Sequence, residues 1–290
     1  MRLAIFGRRV NKEVRPFIQE FIQLLQQRRI EFIVNEQLKE KMHSDLLSDV
    51  ATYHEHAVLG NEIDLMITLG GDGTFLDATK LVWRNEIPIL GINLGRLGFL
   101  ARNAKEDLEL IVERVAQHNW VRQPRSVIQV SSNRDIFGEE NYALNELTVN
   151  RTDSTAMITV HVYINDKYLN SYWADGLIIA TPTGSTGYSM SCGGPIVMPG
   201  SKNFVITPIA PHNLATRPFV LPDDVTLRLC VEGRSSRFLA SLDSRTVKIT
   251  KKDELIVRKG SFFVYLADLG QTDYLTTLRN KLLWGLDRRN

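Results

Sequence analysis

The run Leu65-Met66-Ile67-Thr68-Leu69 carries no charge and passes straight into Gly70-Gly71-Asp72-Gly73-Thr74. A strand that is apolar along its length, with no polar alternation, belongs in a sheet covered on both faces. The glycines end it, and apolar residues at helical spacing resume at Phe75, Leu76, Leu81 and Val82, within Thr74 to Arg84. This alternation recurs across the first 120 residues. "RLAIFG" (2–7), "EFIVN" and "IPILGIN" (87–93) read as strands. Pro16 to Gln27 (Phe17, Phe21, Leu24, Leu25) and Lys105 to Gln117 (Leu108, Ile111, Val112, Val115) read as helices. Strands alternating with helices predict a parallel α/β sheet.

After Trp120 the pattern changes. "RSVIQVSS", "ALNELTVNR", "MITVHVYIND", "GLIIATP", "FVLPDDVTLRLCVEG" and "FFVYLA" are short β-like runs separated by turn residues. "TVKI" and "ELIVRK" alternate clearly, and "TKKDE" between them reads as a hairpin connection. Tyr274 to Leu286 is helical again, with Leu275, Leu278, Leu282, Leu283 and Leu286 on one side. A chain of 290 residues has room for this two-part plan. Its 43% hydrophobic and 23% charged content are those of a soluble globular protein. A net charge of +2 gives no reason to expect a nucleic-acid or membrane surface, and the dense basic cluster is confined to Arg288-Arg289. No apolar stretch approaches the roughly 18 residues that span a bilayer. "MRLAIFGRRV" turns polar too quickly for a signal peptide, so a cytoplasmic setting is expected. Cys192 and Cys230 lack metal-ligand spacing and read as buried thiols. The six histidines form no HExxH cluster, so no protein-held metal is expected.

A strand, a glycine turn and a helix together aim free backbone N–H groups and a helix dipole at an anion. Glycine lets the backbone come close because no Cβ intervenes. The turn is neither of the familiar phosphate cradles. No Lys follows in GxxxxGK spacing, and Leu76 stands where GxGxxG needs its third glycine. Asp72 discriminates further, because a bare carboxylate beside phosphate oxygens is repulsive. It is tolerated where it meets a phosphate-bound cation such as Mg²⁺, or accepts the proton of a hydroxyl about to attack. Both roles belong to phosphoryl transfer. The alternative is that Asp-Gly is turn chemistry alone, with Thr74 as the helix N-cap.

Trp173 to Pro195, "WADGLIIATPTGSTGYSMSCGGP", is the second constellation. After the buried strand "LIIA" come Thr181, Thr183, Ser185, Thr186, Tyr188, Ser189 and Ser191, interleaved with Gly184, Gly187, Gly193 and Gly194. Hydroxyls at this density suit a ligand carrying phosphates and ribose hydroxyls. A Ser/Thr/Gly run alone is more often a surface loop, but here an apolar strand leads in and "PIV" leads out. A serine nucleophile is not expected, since GxSxG spacing is absent. Phe99, in "NLGRLGFLA" (93–101), offers a stacking surface for a base or an apolar anchor under a loop. Asn145-Glu146 sets an amide beside a carboxylate, suited to a sugar diol or to a polar strand end.

In this order, "GGDGTFLDA", "NLGRLGFLA", "NELTV", "DGLIIATPTGSTGYSMSCGGPIV" and "ITPIAPHNLATRPFVLP" resemble the bacterial NAD kinases, from about residue 60 to the C-terminus. The hydroxyl loop is specific to that family. GGDG is shared with diacylglycerol-type lipid kinases and 6-phosphofructokinases. The resemblance implies a diacylglycerol-kinase-like architecture. An α/β domain with a parallel sheet over 1–120 carries the GGDG phosphate loop, and a segment of about 268–290 returns to it. A β-rich, β-sandwich-like NAD-binding domain covers 121–267. It further implies that NAD is phosphorylated at the 2′-hydroxyl of its adenosine ribose to give NADP. ATP, another triphosphate or polyphosphate would be the donor, with a divalent cation such as Mg²⁺. Asp72 would be the general base or orienting acceptor, and Gly70, Gly71, Gly73 and Thr74 would line the phosphate-donor site. Against NAD the resemblance places Asp72, Gly73 and Phe99, with Asn145 and Glu146 on ribose or adenine groups and Asp175 at the nicotinamide part. Thr183, Thr186, Gly187, Tyr188, Ser189, Met190 and Ser191 would wrap the adenosine, with Ala210 nearby. A homodimer or homotetramer is implied, with a neighbouring subunit completing the site.

Three positions depart from the family pattern. Many relatives carry a basic or His side chain at Asp77 and an Arg or Lys at Trp173, and relatives often have Gln or another polar residue at Arg245. Trp173 can stack on a ring but cannot pair with phosphate, and Arg245 is a candidate to restore positive charge near the ligand. Two other classes stay open: a lipid or sugar kinase sharing GGDG, and a non-catalytic dinucleotide-binding regulator whose NAD binding would be indifferent to Asp72.

Overall fold

Strands with no polar face need a partner along their edges and cover on both sides, and the apolar runs of the N-terminal half achieve this as a parallel sheet. The computed structural model describes residues 1–54, 57–95, 98–152, 156–270 and 273–284, and divides into two compact units. Unit 1 comprises Met1–Pro124 and Val264–Asn290; unit 2 is Arg125–Phe263.

In unit 1, β1 (Arg2–Gly7), α1 (Arg15–Gln27), β2 (Glu31–Asn35), α2 (Glu36–Met42), β3 (Thr52–Tyr53), β4 (Leu65–Leu69), α3 (Asp72–Val82), β5 (Ile89–Asn93), the short β6 (Asn103–Ala104) and α4 (Leu108–Ala116) follow in turn. The sheet order is β5-β4-β1-β2-β3, parallel throughout. Ile18, Phe21, Ile22 and Leu25 of α1 and Ile111, Val112 and Val115 of α4 pack with Leu3, Ile5, Leu65 and Ile67 in one cluster. Pro16 starts α1 without loss, since the first-turn N–H has no partner within the helix. Register aligns Gly7 with Leu69 and Leu69 with Ile92. The loops after β1, β4 and β5 therefore leave the sheet at one edge, the carboxyl end where open α/β sheets place their ligands.

Unit 2 is built of antiparallel strands and one short helix: β7 (Val121–Ser132, from Arg125 on), β8 (Tyr142–Ala143), β9 (Glu146–Arg151), β10 (Ile158–Ile164), β11 (Lys167–Ala174), β12 (Gly176–Ala180), the helix α5 (Tyr188–Ser191), β13 (Asn203–Ile209), β14 (Phe219–Pro222), β15 (Leu227–Gly233), β16 (Phe238–Leu242), β17 (Arg245–Ile249) and β18 (Glu254–Asp268, as far as Phe263). One sheet runs β14-β13-β12-β9-β16-β17, and β11-β10-β15-β18 belong to another. Val149, Leu177, Ile179 and Ile206 of the first share a core with Val160, Val162, Leu229 and Leu255 of the second. This is sandwich packing.

Several expectations need correction. "TKKDE" is not a hairpin connection: β17 pairs with β16 and β18 with β15, so the segment carries the chain from one sheet to the other. Asp253 shapes it by accepting from the Thr250 N–H and hydroxyl and from Arg134. Thr74 is not the N-cap of α3, which begins at Asp72 with Gly71 as its cap. The final helix is α6 (Tyr274–Leu282), in unit 1, but its leucines do not form one buried side. Leu278 is buried, Leu275 and Leu283 are at least half exposed, and Leu286, like Arg288-Arg289, lies outside the described residues. Cys192 and Cys230 are half-buried free thiols, not core residues. Among the described residues no helix is long and apolar enough to cross a membrane.

Candidate functional site

At the carboxyl edge of the parallel sheet, unit 1 holds a cleft of about 510 Å³ lined by Arg8, Gly70, Gly71, Gly73, Thr74 and Asp77, among others. The turn is tight at Gly70, where a Cβ would fall 2.3 Å from Thr74 Oγ1. At Gly71 and Gly73 a Cβ would meet nothing within 4 Å, so these two keep the cleft open rather than relieve a clash. The Gly71 carbonyl accepts from the N–H of Thr74 (3.0 Å) and Phe75 (3.2 Å), starting α3 with its first amides at the cleft.

Asp72 does not line the cleft; its carboxylate is turned to the segment after β5. Oδ2 accepts from the Phe99 N–H at 2.9 Å, and Oδ1 accepts from Leu100 and Ala101, both at 3.0 Å. A carboxylate has about four lone-pair positions, so three backbone donors leave one, on Oδ2. Gly98 permits this approach, because a Cβ there would lie 1.9 Å from Oδ1. Phe99 is 7% exposed, its ring centroid 6.3 Å from that of Tyr274 and 4.9 Å from Lys281 Nζ, while Arg102 Nε donates to the Phe99 carbonyl. Phe99 thus meets Asp72 through its backbone, and its ring anchors the loop against α6. Arg96 and Leu97 of the same motif lie outside the described residues.

In unit 2 the hydroxyl loop is docked on the segment 144–146. Asp243, at φ +52°, accepts from the N–H groups of Leu144, Asn145 and Glu146 at 2.9, 2.8 and 3.2 Å. The Thr181 hydroxyl donates to the Leu144 carbonyl (2.6 Å), and the Thr181 N–H to that of Asn145 (2.9 Å). Ser185 donates to the Pro182 carbonyl, and Ser189 shares a 2.8 Å hydrogen bond with Thr207, both fully buried. Those hydroxyls shape the loop. Thr183, Thr186, Gly187 and Met190 are half-buried, and Tyr188 and Ser191 are exposed. Asp175, the one residue between β11 and β12, pairs with Arg151 at 2.8 Å. Ala210 is exposed and held at φ +45°.

Glu146 is the unusual ionisable group. Burial first, then the charge of Asp243, pushes its carboxyl up to about 8 against a hydrogen bond from the Tyr188 N–H, and Oε2 is buried without a partner. The same burial raises Asp243. The unfolded chain releases the Glu146 proton near pH 4.3, whereas the folded chain holds it to about 8. Between these values the folded state binds the extra proton, so this residue's contribution to stability falls as pH rises. Urea midpoints of Glu146→Gln measured from pH 5 to 8 should decline less with pH than those of the unsubstituted protein. Parallel declines would show that Glu146 does not titrate in this window.

Of the three departures, Asp77 pairs with Arg8. Trp173 is 48% exposed, its ring 4.3 Å from that of His212. Arg245 does not stand free for a ligand: its guanidinium donates to the Tyr142 carbonyl and pairs with Glu140 at 3.3 Å. Sequence reasoning missed Arg8, Arg151 and Asp243, whose partners lie 69, 24 and up to 99 residues away. Among the described residues no group of three or more His, Cys, Asp or Glu is placed to hold a metal ion.

Two family models cover most of the chain: the ATP-NAD kinase N-terminal domain matches residues 3–120 and the ATP-NAD kinase C-terminal domain residues 144–269. The NAD kinases of Flavobacterium johnsoniae and Flavobacterium psychrophilum are 43% and 44% identical over 294 residues, covering all of both chains. That of Cytophaga hutchinsonii is 43% identical, also over the full length of each. Yeast NADH kinase complexed with NADH superposes with a TM-score of 0.83 at 23% identity, covering 98% of this chain and 88% of that one. An Archaeoglobus fulgidus NAD kinase in complex with ATP gives 0.73 at 23%, covering 97% of each. At that identity the two solved structures speak for the fold alone. The full-length relatives and the two domain matches decide the rest: this chain belongs to the NAD kinase family.

Proposed function

We infer that the chain phosphorylates NAD at the 2′-hydroxyl of its adenosine ribose, giving NADP and ADP from ATP. One observation carries the chemistry. A single turn faces two ways, with Gly70, Gly71, Gly73 and Thr74 on the cleft and Asp72 on the other side with one acceptor position open. Amides and glycines suit the donor's phosphates; the open position on Asp72 Oδ2 suits a hydroxyl.

In the reaction the 2′-oxygen forms a bond to the terminal phosphorus, the bond from that phosphorus to its bridging oxygen breaks, and ADP leaves. The hydroxyl proton passes to Asp72, which acts as general base or orienting acceptor. The three amides on Asp72 fix its orientation, so it needs no rearrangement to accept. We write the cation, magnesium, as part of the Mg·ATP substrate, where it neutralises phosphate charge. Asn145, Glu146, Asp175, Thr183, Thr186, Gly187, Tyr188, Met190, Ser191 and Ala210 are proposed to hold NAD, with Gly73 and Phe99 beside Asp72. Ser189 contributes through its backbone, its hydroxyl being turned to Thr207. The proposed donor site and base lie in unit 1, and the loop proposed to bind the dinucleotide lies in unit 2. A homodimer or homotetramer and a cytoplasmic setting belong to the same proposal, supported by the family resemblance and composition.

The test is transfer from γ-labelled Mg·ATP to NAD, with the product degraded to locate the phosphate. Label on the adenosine 2′-oxygen is the expected result. Binding of NAD without transfer from ATP, another triphosphate or polyphosphate would overturn it in favour of a regulator.

A further inference from the structure

Arg8 follows the last residue of β1 and lines the cleft together with Arg9 and the glycine turn. Its place is set from two sides. Lys41 Nζ donates to the Arg8 carbonyl at 2.8 Å, and the Arg8 guanidinium is paired through Nη1 with Asp77 Oδ2. Asp77 is well enclosed, its side chain 12% exposed, and Lys80 Nζ stands 3.8 Å from its other oxygen. Arg8 itself is 48% exposed.

A carboxylate on the wall of a phosphate site weakens binding by simple repulsion unless something answers its charge. Asp77 is answered twice, and one of its partners is the cation that faces the cleft. A guanidinium has five N–H donors in a rigid fork. With one nitrogen on Asp77, others remain for phosphate oxygens, in a planar geometry that an ammonium cannot copy. Asp77 thereby restricts a flexible side chain before any ligand arrives, which lowers the ordering cost at binding.

We propose that Arg8 binds the phosphates of the triphosphate donor and that Asp77 is its positioning residue. This rests on the cleft being the donor's site. The proposal predicts a sign that Coulomb's law alone would reverse. Asp77→Asn removes a negative charge from a phosphate site, so bare electrostatics predicts a lower KM for Mg·ATP. Loss of positioning predicts a higher one.

The experiment is steady-state kinetics with Mg·ATP and NAD varied in turn, on variants whose thermal midpoints confirm folding. Arg8→Gln should raise the KM for Mg·ATP by about tenfold to a hundredfold, the range of a lost charged hydrogen bond, and leave that for NAD within about twofold. Arg8→Lys should recover only part of the loss. The double variant R8Q/D77N, which no longer leaves a bare carboxylate in the cleft, should remain well above the unsubstituted protein. Its full return would mean that Arg8 merely neutralises Asp77, and would overturn the proposal, as would a lower donor KM in Asp77→Asn. Gly71→Leu separates the two readings, because a side chain there grows into open cleft. Donor binding weakened by Gly71→Leu but not by Arg8→Gln would sink the role of Arg8 and spare the cleft. Donor binding unmoved by either would sink both.

Discussion

Asp72→Asn is expected to lower kcat for NADP formation by about a thousandfold or more while leaving NAD affinity within about threefold. The asymmetry follows from how the carboxylate is held. Oδ1 accepts two backbone N–H groups, from Leu100 and Ala101, and Oδ2 accepts one, from Phe99. An amide has one oxygen to offer, and its better placement is towards the pair of donors. Its nitrogen then faces the Phe99 N–H and the position reserved for the substrate hydroxyl. The acceptor is lost where a proton must go, while two of three loop contacts survive to hold the segment in place. Asp72→Ala loses all three contacts, so its NAD affinity should fall as well. Calorimetry with NAD, set beside turnover with Mg·ATP, distinguishes these outcomes. A kcat within tenfold of normal for Asp72→Asn would remove Asp72 from the chemistry.

Gly184→Ala should be the most damaging single methyl in unit 2. A Cβ there would lie 2.1 Å from the carbonyl oxygen of Asn145, 2.5 Å from its carbon and 2.7 Å from its Cα. All three are backbone atoms in a segment already fixed by Asp243 and Thr181, so neither chain can step aside cheaply. Overpacking of this kind costs about 3 kcal/mol, at the upper end of the usual range. For a chain of 290 residues that is a fall of about 5 °C in melting temperature. Because relief of the clash must part the hydroxyl loop from Asn145 and Glu146, NAD affinity should fall with it. A melting temperature within a degree or two of normal would show that the loop is not docked as described.

The strand into Gly70-Gly71-Asp72-Gly73 and the helix after it were legible because every signal is local: an apolar run, a glycine break and helical spacing. The same holds for α4, which buries the expected Leu108, Ile111, Val112 and Val115, whereas α1 buries Ile18 and Ile22 beside Phe21 and Leu25 and leaves the expected Phe17 and Leu24 half-buried. Strand partners were not legible. Alternation in "TVKI" and "ELIVRK" identifies two strands, but their pairing is a long-range matter, and each finds a different neighbour. β13 escaped notice although it is almost wholly buried, since Pro208 argues against a strand and yet pairs opposite Leu177 in the register. β11 was hidden by its exposure, with Tyr168 and Trp173 turned outward. Its preceding turn, Asn165-Asp166 with both φ positive, was the available signal. At the site, motif residues could be read in order along the chain. The side chains that hold them could not, because Arg8, Arg151 and Asp243 acquire their meaning only from partners distant in sequence.

The strand β18 passes from unit 2 into unit 1, where Leu266 takes its place beside Ile89 of β5. This makes the order of synthesis matter. A ribosome delivers residues 1–124 first, but the neighbour that β5 awaits emerges only after the whole of 125–263 has been made. Unit 2 is encoded in one uninterrupted piece and can close while still tethered. Unit 1, though begun first, must finish last. A nascent chain halted before residue 264 would carry a complete β-rich half and a parallel sheet whose β5 edge is met only by the two-residue β6, the kind of open strand edge in which chaperones find their clients.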